Sequence, residues 1–359
     1  MQILLLSPGW TSEIKLPNQA EESGDRYVPA PREIDVSEPF VRPDVRAFLD
    51  FLNNVPGPKM HQLDATAARA LYVAMKDVAE PPIGELATIT DLSIPGPAGD
   101  IPARLFDARP GREPGPAMVF YHGGGFVIGN IDSHASLCAE IARTLDLPVI
   151  SIDYRLAPES AWPAAPDDCE AATRWIAGNP TELGRKVTSL VLCGDSAGGN
   201  LAIVTAMTLR DTPAAVPVIA QFPIYPLVDT TRDYPSLSEF AEGYLLTRGS
   251  MSWFDQAYNA EAANVRASPL TGDLAGMPPA LVMTASLDPL RDQGRAYAAA
   301  LASAGVPVAF REAKGNIHGF ANLRKATPSS AGDVAAALTV LKAIIAEAEG
   351  DRVMAQAAG

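Results

Sequence analysis

A serine stands at the centre of a G-x-S-x-G pattern, a spacing that suits nucleophilic catalysis. Gly194 and Gly198 flank Ser196, and the pattern lies between an apolar, strand-like stretch and a stretch with the length and composition of a helix. A sharp turn from a strand into a helix needs residues without a Cβ atom on both sides, and the two glycines meet that need. Such a nucleophile elbow lifts the serine hydroxyl above the sheet. The pattern therefore predicts Ser196 as a nucleophile.

A serine hydroxyl is a weak nucleophile and needs a base, and the chain offers four histidines. They are His61, His122, His134 and His318. In a sheet with this elbow the order along the chain is nucleophile, acid, histidine. Only His318 follows Ser196. We therefore predict that His318 is the general base, and that His122 fixes the neighbouring glycine loop through a hydrogen bond.

The third catalytic group is a carboxylate that lies between the serine and the histidine along the chain. An apolar strand is predicted over residues 280–285, and Asp288 is the first carboxylate after it. Pro289 restricts the backbone of that turn. Asp288 is therefore predicted to orient the base. Asp292 is the alternative acid, and a helix N-cap is the non-catalytic role open to Asp288.

Three consecutive glycines follow the strand predicted over residues 117–121. Backbone without side chains can approach a substrate closely and turn its N–H groups toward a developing oxyanion. The amides of Gly124 and Gly125 are predicted to act with that of Ala197 as donors, although a plain surface loop is the other interpretation of a glycine run. The residues beside these donors are predicted to support the loop: His122, Gly123 and Asp195.

The composition limits the function classes. A chain of 359 residues with 47% hydrophobic residues can form a large α/β domain with additions. The net charge of −14 argues against nucleic acid and anionic membranes as partners. Cys138, Cys169 and Cys193 lie in apolar contexts without metal-ligand spacing, which predicts reduced thiols in the cytoplasm and no metal. The apolar start lacks the basic residues of a secretion signal, and no run approaches the roughly 20 apolar residues of a membrane span.

Strand and helix patterns alternate along most of the chain. A hairpin is predicted over residues 86–94 and 101–106. Further strands are predicted over residues 117–121, 148–153, 189–193, 216–222, 280–285 and 306–311. Helices are predicted over residues 134–145, 167–177, 197–210, 291–304 and 331–349. This alternation is typical of an α/β fold whose mostly parallel sheet carries helices on both faces.

Three segments are predicted around that core. Residues 1–40 form an N-terminal extension, as a disordered tail or an extended arm. Residues 41–82 carry two helices, since apolar residues recur at helical spacing over 43–52 and 65–78, with Leu71 on the apolar face of the second. Residues 83–359 form the main domain. An aromatic-rich insertion at about 225–263 interrupts this domain and is predicted to be a lid.

Five motifs, in order, resemble the bacterial hormone-sensitive-lipase-like esterases, the family IV carboxylesterases of the α/β-hydrolase fold. The motifs are residues 122–125 (HGGG), 153–159 (DYRLAPE), 194–198 (GDSAG), 288–292 (DPLRD) and 318–320 (HGF). The resemblance implies hydrolysis of esters with short to medium acyl chains, without a cofactor. It also implies the triad and oxyanion donors named above, and a helical cap built from the N-terminal helices and the insertion.

The resemblance further implies a pocket and an assembly. Phe126, Leu245 and Leu246 are expected to line the acyl or alcohol pocket, the two leucines within a cap helix, although ordinary core packing is the alternative. A homodimer is expected on the same ground. Ser286 departs from the family pattern, where a glycine or a charged residue is more usual. Hydrolysis of amides, lactones or thioesters with the same triad remains an alternative, as does a non-catalytic small-molecule receptor, in which the histidine would be lost.

Overall fold

The structure, a computed structural model, describes residues 38–358, so nearly all of the predicted N-terminal extension lies outside the described residues. The strands are β1 (Thr88–Gly96), β2 (Gly99–Asp107), β3 (Gly115–Tyr121), β4 (Val149–Ile152), β5 (Val187–Asp195), β6 (Val218–Ile224), β7 (Ala280–Leu287) and β8 (Val308–Ile317). The α-helices are α1 (Pro43–Asn54), α2 (Ala65–Ala74), α3 (Lys76–Ala79), α4 (Ile131–Leu145), α5 (Ala164–Ala177), α6 (Ala197–Asp211), α7 (Pro235–Glu239), α8 (Arg248–Tyr258), α9 (Arg291–Ser303) and α10 (Ser330–Ala358). Within the described residues, none of these helices is long and apolar enough to cross a membrane.

One eight-stranded sheet organises the molecule, in the order β1-β2-β4-β3-β5-β6-β7-β8. β2 pairs antiparallel with both β1 and β4, whereas the other neighbours pair in parallel. The hairpin predicted over residues 86–106 lies at the sheet edge, as expected. The predicted fold class, a mostly parallel α/β-hydrolase sheet flanked by helices, is confirmed.

Helices bury both faces of the central strands. Every residue of β5 except Thr188 is buried, and every residue of β6 except Val218. One apolar cluster packs α5, α6 and α9 onto one face, and a second packs α4 and α10 onto the other. Near-continuous apolar strands are what a parallel sheet covered on both faces requires. The carboxyl ends of β5, β7 and β8 therefore project from a rigid platform.

Two details of the predicted helix over residues 65–78 are wrong. The helix is interrupted at Met75, which separates α2 from α3. Leu71, predicted on its buried face, is 40% exposed. The reason is tertiary, because Arg69 of α2 reaches the loop after β3 and donates to the Val127 carbonyl at 2.7 Å. The face of α2 that packs against the rest of the domain therefore includes Arg69 and not Leu71.

The end of β8 was also predicted wrongly. The sequence predicts the last strand over residues 306–311, but β8 continues to Ile317 and includes Gly315. Gly315 has a φ of +74°, which is typical of a turn. The pairing with β7 absorbs it, because the register shifts between Ala285 and Leu287 and Leu287 then pairs with Ile317. His318 therefore follows a strand directly, which fixes its starting point.

Within the insertion, the leucines predicted in a cap helix lie outside any helix. Leu245 and Leu246 belong to the irregular connection between α7 and α8. Leu245 has a φ of +72°, which a helix does not accommodate. α8 begins after Thr247, whose side chain accepts a hydrogen bond from the Ser250 amide. A threonine N-cap is thus the local signal that sets the helix start beyond the two leucines.

Candidate active site

Ser196 lies in a tight turn between β5 and α6, with φ 56° and ψ −115°. The turn tolerates only glycine at its flanks. A Cβ atom on Gly194 would lie 2.3 Å from the Gly198 carbonyl oxygen, and one on Gly198 would lie 1.9 Å from the Tyr121 carbonyl oxygen. A serine at positive φ is strained, and such strain is typical of a nucleophile elbow. The turn leaves the Ser196 side chain half-buried, at the carboxyl edge of the sheet.

The structure brings Ser196, His318 and Asp288 into one hydrogen-bonded chain. His318 Nε2 lies 2.9 Å from Ser196 Oγ, and His318 Nδ1 lies 2.8 Å from Asp288 Oδ2. Asp288 is fully buried and His318 is 8% exposed. In this geometry the imidazole can take the serine proton while the carboxylate holds the ring.

Asp288 is not the helix N-cap that the sequence leaves open, because the N-cap of α9 is Leu290, but its side chain stabilises the turn before that helix. Its second oxygen, Oδ1, accepts the Leu290 amide at 2.8 Å, ahead of α9. One carboxylate therefore caps a turn and contacts the histidine. The alternative acid, Asp292, instead accepts the Ser236 amide and the guanidinium of Arg291, which ties α9 to α7.

The glycine loop after β3 has the backbone of an oxyanion site. Gly124 has a φ of +119° and Gly125 a φ of +58°, and a Cβ atom on Gly124 would lie 2.1 Å from the Ile128 carbonyl oxygen. Among residues 38–358, no acceptor takes the amides of Gly124, Gly125 or Ala197. Ala197 is the first residue of α6, where helix amides lack intrahelical partners. Three amides are thus free to receive a ligand oxygen.

Asp195, at the end of β5, joins several loops around this site. Its Oδ1 accepts the Gly123 amide at 2.8 Å and lies 3.2 Å from His134 Nε2, while Oδ2 accepts Asn322 Nδ2 at 3.1 Å. Burial alone would raise the pKa of Asp195, but His134 and the hydrogen bonds hold it below its usual value. The buried carboxylate therefore stays ionised and fixes the glycine loop relative to the segment after His318.

His122 packs against the same loop. Its ring is fully buried and stacks on Tyr154 at 4.3 Å between centroids. His122 Nδ1 lies 2.8 Å from the Gly123 carbonyl oxygen, and the Tyr154 hydroxyl donates to the His122 carbonyl at 2.6 Å. These contacts suit the loop-fixing role predicted for His122, and they leave it without contact to Ser196.

The expected pocket residues have different surroundings. Phe126 is 3% exposed and stacks on Tyr258 of α8 at 3.8 Å. Leu245 packs in an apolar cluster that includes Phe240 and Ile317, beside the histidine segment. Leu246 is half-buried in the same connection.

Sequence reasoning missed three residues around the site: His134, Asn322 and Phe254. The ring of Phe254 lies directly on the glycine loop, since a Cβ atom on Gly125 would be 2.2 Å from Phe254 Cγ. His134 and Asn322 contact Asp195, as described above. The available signals were weak: His134 is one of few histidines, and Phe254 belongs to the aromatic-rich insertion. Across the described residues, no group of three or more His, Cys, Asp or Glu side chains is arranged to hold a metal ion.

Known proteins match the chain in sequence and in fold. A family model described as α/β hydrolase fold matches residues 118–322. The carboxylic ester hydrolase LipN of Mycobacterium tuberculosis is 42% identical over 71% of this chain and 70% of its own length. The ethyl acetate hydrolase of Pseudomonas putida is 36% identical over 78% of this chain and 92% of its own. A mutant of LAE6, an α/β hydrolase enzyme from the metagenome of Lake Arreo, Spain, superposes with a TM-score of 0.81, at 37% identity, over 85% of this chain and 98% of its own.

Proposed function

The chain belongs to the hormone-sensitive-lipase-like family of α/β-hydrolase-fold carboxylic ester hydrolases, and on that premise we propose that it is a serine carboxylesterase. Ser196, His318 and Asp288 are its triad. The observation that supports this proposal is the unbroken contact chain from the serine hydroxyl through the imidazole to a buried carboxylate, with 2.9 Å and 2.8 Å steps. The names of two relatives that align over most of their length, a carboxylic ester hydrolase and an ethyl acetate hydrolase, agree with it.

The proposed reaction is a two-step acyl transfer. His318 takes the proton of Ser196 as the hydroxyl oxygen attacks the ester carbonyl carbon, and then gives that proton to the departing alcohol. The resulting acyl-enzyme is hydrolysed by water, which His318 activates in the same way. Asp288 holds the imidazole in the required tautomer.

Three backbone amides stabilise the tetrahedral intermediates in this proposal. Those of Gly124, Gly125 and Ala197 face the oxygen that becomes negatively charged. Their lack of acceptors among the described residues supports the assignment. Asp195, His122 and Gly123 keep the loop in place. Loss of one such donor typically costs about a hundredfold or more in turnover.

The proposed substrates are small esters with short to medium acyl chains. This range is what the family resemblance implies. Two aromatic contacts beside the site are compatible with it, since Phe254 lies against Gly125 and Phe126 stacks on Tyr258. Phe126, Leu245 and Leu246 stay predicted pocket residues. A cytoplasmic location and a homodimer also stay predictions, the former based on cysteines whose thiols are buried and free.

The experiment that tests this function is a series of initial rates on p-nitrophenyl esters from acetate to laurate. Wild type and Ser196→Ala are compared at equal concentrations of folded protein. Turnover by wild type alone, with a maximum at a short or medium chain, is the expected result. A folded wild type that hydrolyses none of these esters contradicts the proposal. In that case the amide, lactone, thioester and receptor alternatives are tested next with matching substrates and ligand screens.

A further inference from the structure

The segment that runs from Arg42 through Glu80, here the N-terminal cap segment, is attached at both of its ends to the chain around His318. At its start, Arg42 Nε donates to the Lys314 carbonyl at 2.8 Å, and the Arg42 amide donates to the Gly315 carbonyl at 3.2 Å. The same guanidinium binds both carboxylate oxygens of Asp333, at 2.5 and 3.0 Å. Lys314 and Gly315 belong to β8, the strand that leads into His318, whereas Asp333 belongs to α10.

The end of the N-terminal cap segment contacts the chain that follows His318. Glu80 Oε2 accepts Arg324 Nη2 at 2.5 Å, and both side chains are only 5% exposed. Arg324 Nη2 also donates to Ser136 Oγ of α4 at 2.9 Å. The Ala79 carbonyl accepts the amides of Lys325 and Ala326.

A buried ion pair of this kind is costly to form and costly to break. Moving both charges out of water carries a large desolvation penalty, which only close contact and further hydrogen bonds offset. Burial raises the pKa of Glu80 although Arg324 opposes that shift. A pair in this position therefore adds little stability over an apolar pair. Its directed contacts instead fix the position of Arg324 relative to Glu80 and Ser136.

We propose that the N-terminal cap segment is a brace for the loop that carries His318, with Glu80 and Arg42 as positioning residues. The inference rests on the proposed function, since it requires His318 to be the base. The loop between the two attachments carries His318, which contacts Ser196, and Asn322, which donates a hydrogen bond to Asp195. The seating of the cap segment thus sets the distance from His318 Nε2 to Ser196 Oγ. Small misplacements matter, because a shift of about 1 Å can cost roughly a hundredfold in rate.

The test uses the full chain and p-nitrophenyl acetate, whose short acyl group needs few contacts with the cap. Glu80→Gln and Arg42→Met are expected to lower kcat roughly tenfold or more while KM stays within about twofold. Glu80→Asp keeps the charge and is expected to recover part of the lost kcat. If the segment serves only to hold substrate, these two variants will have a raised KM and an unchanged kcat. That result overturns the brace.

The matched control is Asp107→Asn, which removes another fully buried carboxylate that is paired with arginine, at the opposite edge of the sheet. It is expected to lower stability with no change in kcat per folded molecule. If Glu80→Gln does not fold, the double variant Glu80→Met with Arg324→Met removes both buried charges together. Arg42 is partly exposed, so Arg42→Met tests the brace independently of the buried pair. An active wild type with unchanged kcat in these variants overturns the brace alone. A wild type inactive on every ester overturns the proposed function and the brace together.

Discussion

Two fully buried aspartates at opposite edges of the sheet have different partners. Asp107 ends β2 beside the amino ends of β3, β4 and β5, where it accepts Arg112 Nε at 2.8 Å and Arg185 Nε at 2.9 Å. Asp288 follows β7 at the carboxyl edge, where it contacts the Leu290 amide and His318. Both are 0% exposed. The two aspartates are therefore equally buried, and they differ in their charged partner, which is arginine for Asp107 and histidine for Asp288.

That difference separates a structural charge, Asp107, from the proposed catalytic one, Asp288. Arginine keeps its proton at all accessible pH values, so the pairs of Asp107 with Arg112 and Arg185 do not exchange a proton near neutral pH. An imidazole exchanges its proton near neutral pH, so the pair of Asp288 with His318 can pass through two protonation states during turnover. A carboxylate is thus more informative about function through its partner than through its burial.

The largest loss of activity is expected for Asp288→Asn. We expect kcat to fall by about 10⁴-fold, because an amide no longer holds the imidazole tautomer that accepts the serine proton. Folding should change little, since the asparagine oxygen can still accept the Leu290 amide. The measurement is kcat on p-nitrophenyl acetate together with a thermal unfolding curve. A variant that retains more than a tenth of the wild-type kcat would assign the acid to another residue.

The converse variant is Asp107→Asn. We expect a loss of about 3 to 5 kcal/mol in the free energy of unfolding, because Arg112 and Arg185 lose their buried counter-charge. The value is measured by urea denaturation, and kcat per folded molecule should stay constant. A fall in kcat without a fall in stability would contradict a purely structural role for Asp107.

The same variant has a pH signature. Burial alone would raise the pKa of Asp107, but Arg112, the Arg109 amide and Arg185 together hold it below its usual value. A native pKa below the unfolded one contributes stability that is present above about pH 4 and is lost as pH falls through the native pKa. Asp107→Asn should therefore flatten the decline in unfolding free energy on the acid side. Equal acid slopes in wild type and variant would contradict this.

Asp195 resembles both Asp107 and Asp288, because it is buried and has a histidine among its partners. Its carboxylate is held by the Gly123 backbone amide, the Asn322 side chain and His134. In Asp195→Asn an NH2 group replaces one carboxylate oxygen. This donor then faces another donor, either the Gly123 amide or Asn322 Nδ2, and one hydrogen bond is lost. We expect the glycine loop to shift and kcat to fall about tenfold to a hundredfold, up to the cost of one oxyanion donor. The rate constant of inactivation by a reactive phosphonate, which also places an oxygen in the oxyanion site, should fall in parallel with kcat. His122→Phe serves as a comparison that removes none of the hydrogen bonds from Gly123 and Asn322 to Asp195.

The sequence was sufficient for the parts of the site that have local requirements. The glycines around Ser196 and in the loop after β3 are needed by backbone geometry, and the order of nucleophile, acid and histidine left one candidate base. His134 and Asn322 were missed because their role depends on which face of α4 and which loop meet Asp195, and packing decides that. The extension of β8 to Ile317 was missed for the same reason, since a register shift against β7 absorbs Gly315.

Phe254 is the residue for which packing adds most to the sequence. Its aromatic character was visible, but only the fold places its ring against Gly125. We expect Phe254→Ala to open space above the oxyanion loop and to raise kcat/KM for octanoate relative to acetate several-fold, since each accommodated methylene can contribute about 1 kcal/mol or more. Phe51→Ala, on α1 with a side chain 63% exposed, is the matched control and should leave the ratio unchanged. An unchanged ratio in Phe254→Ala would mean that the acyl chain lies elsewhere, and the leucines between α7 and α8 would then be the next positions to vary.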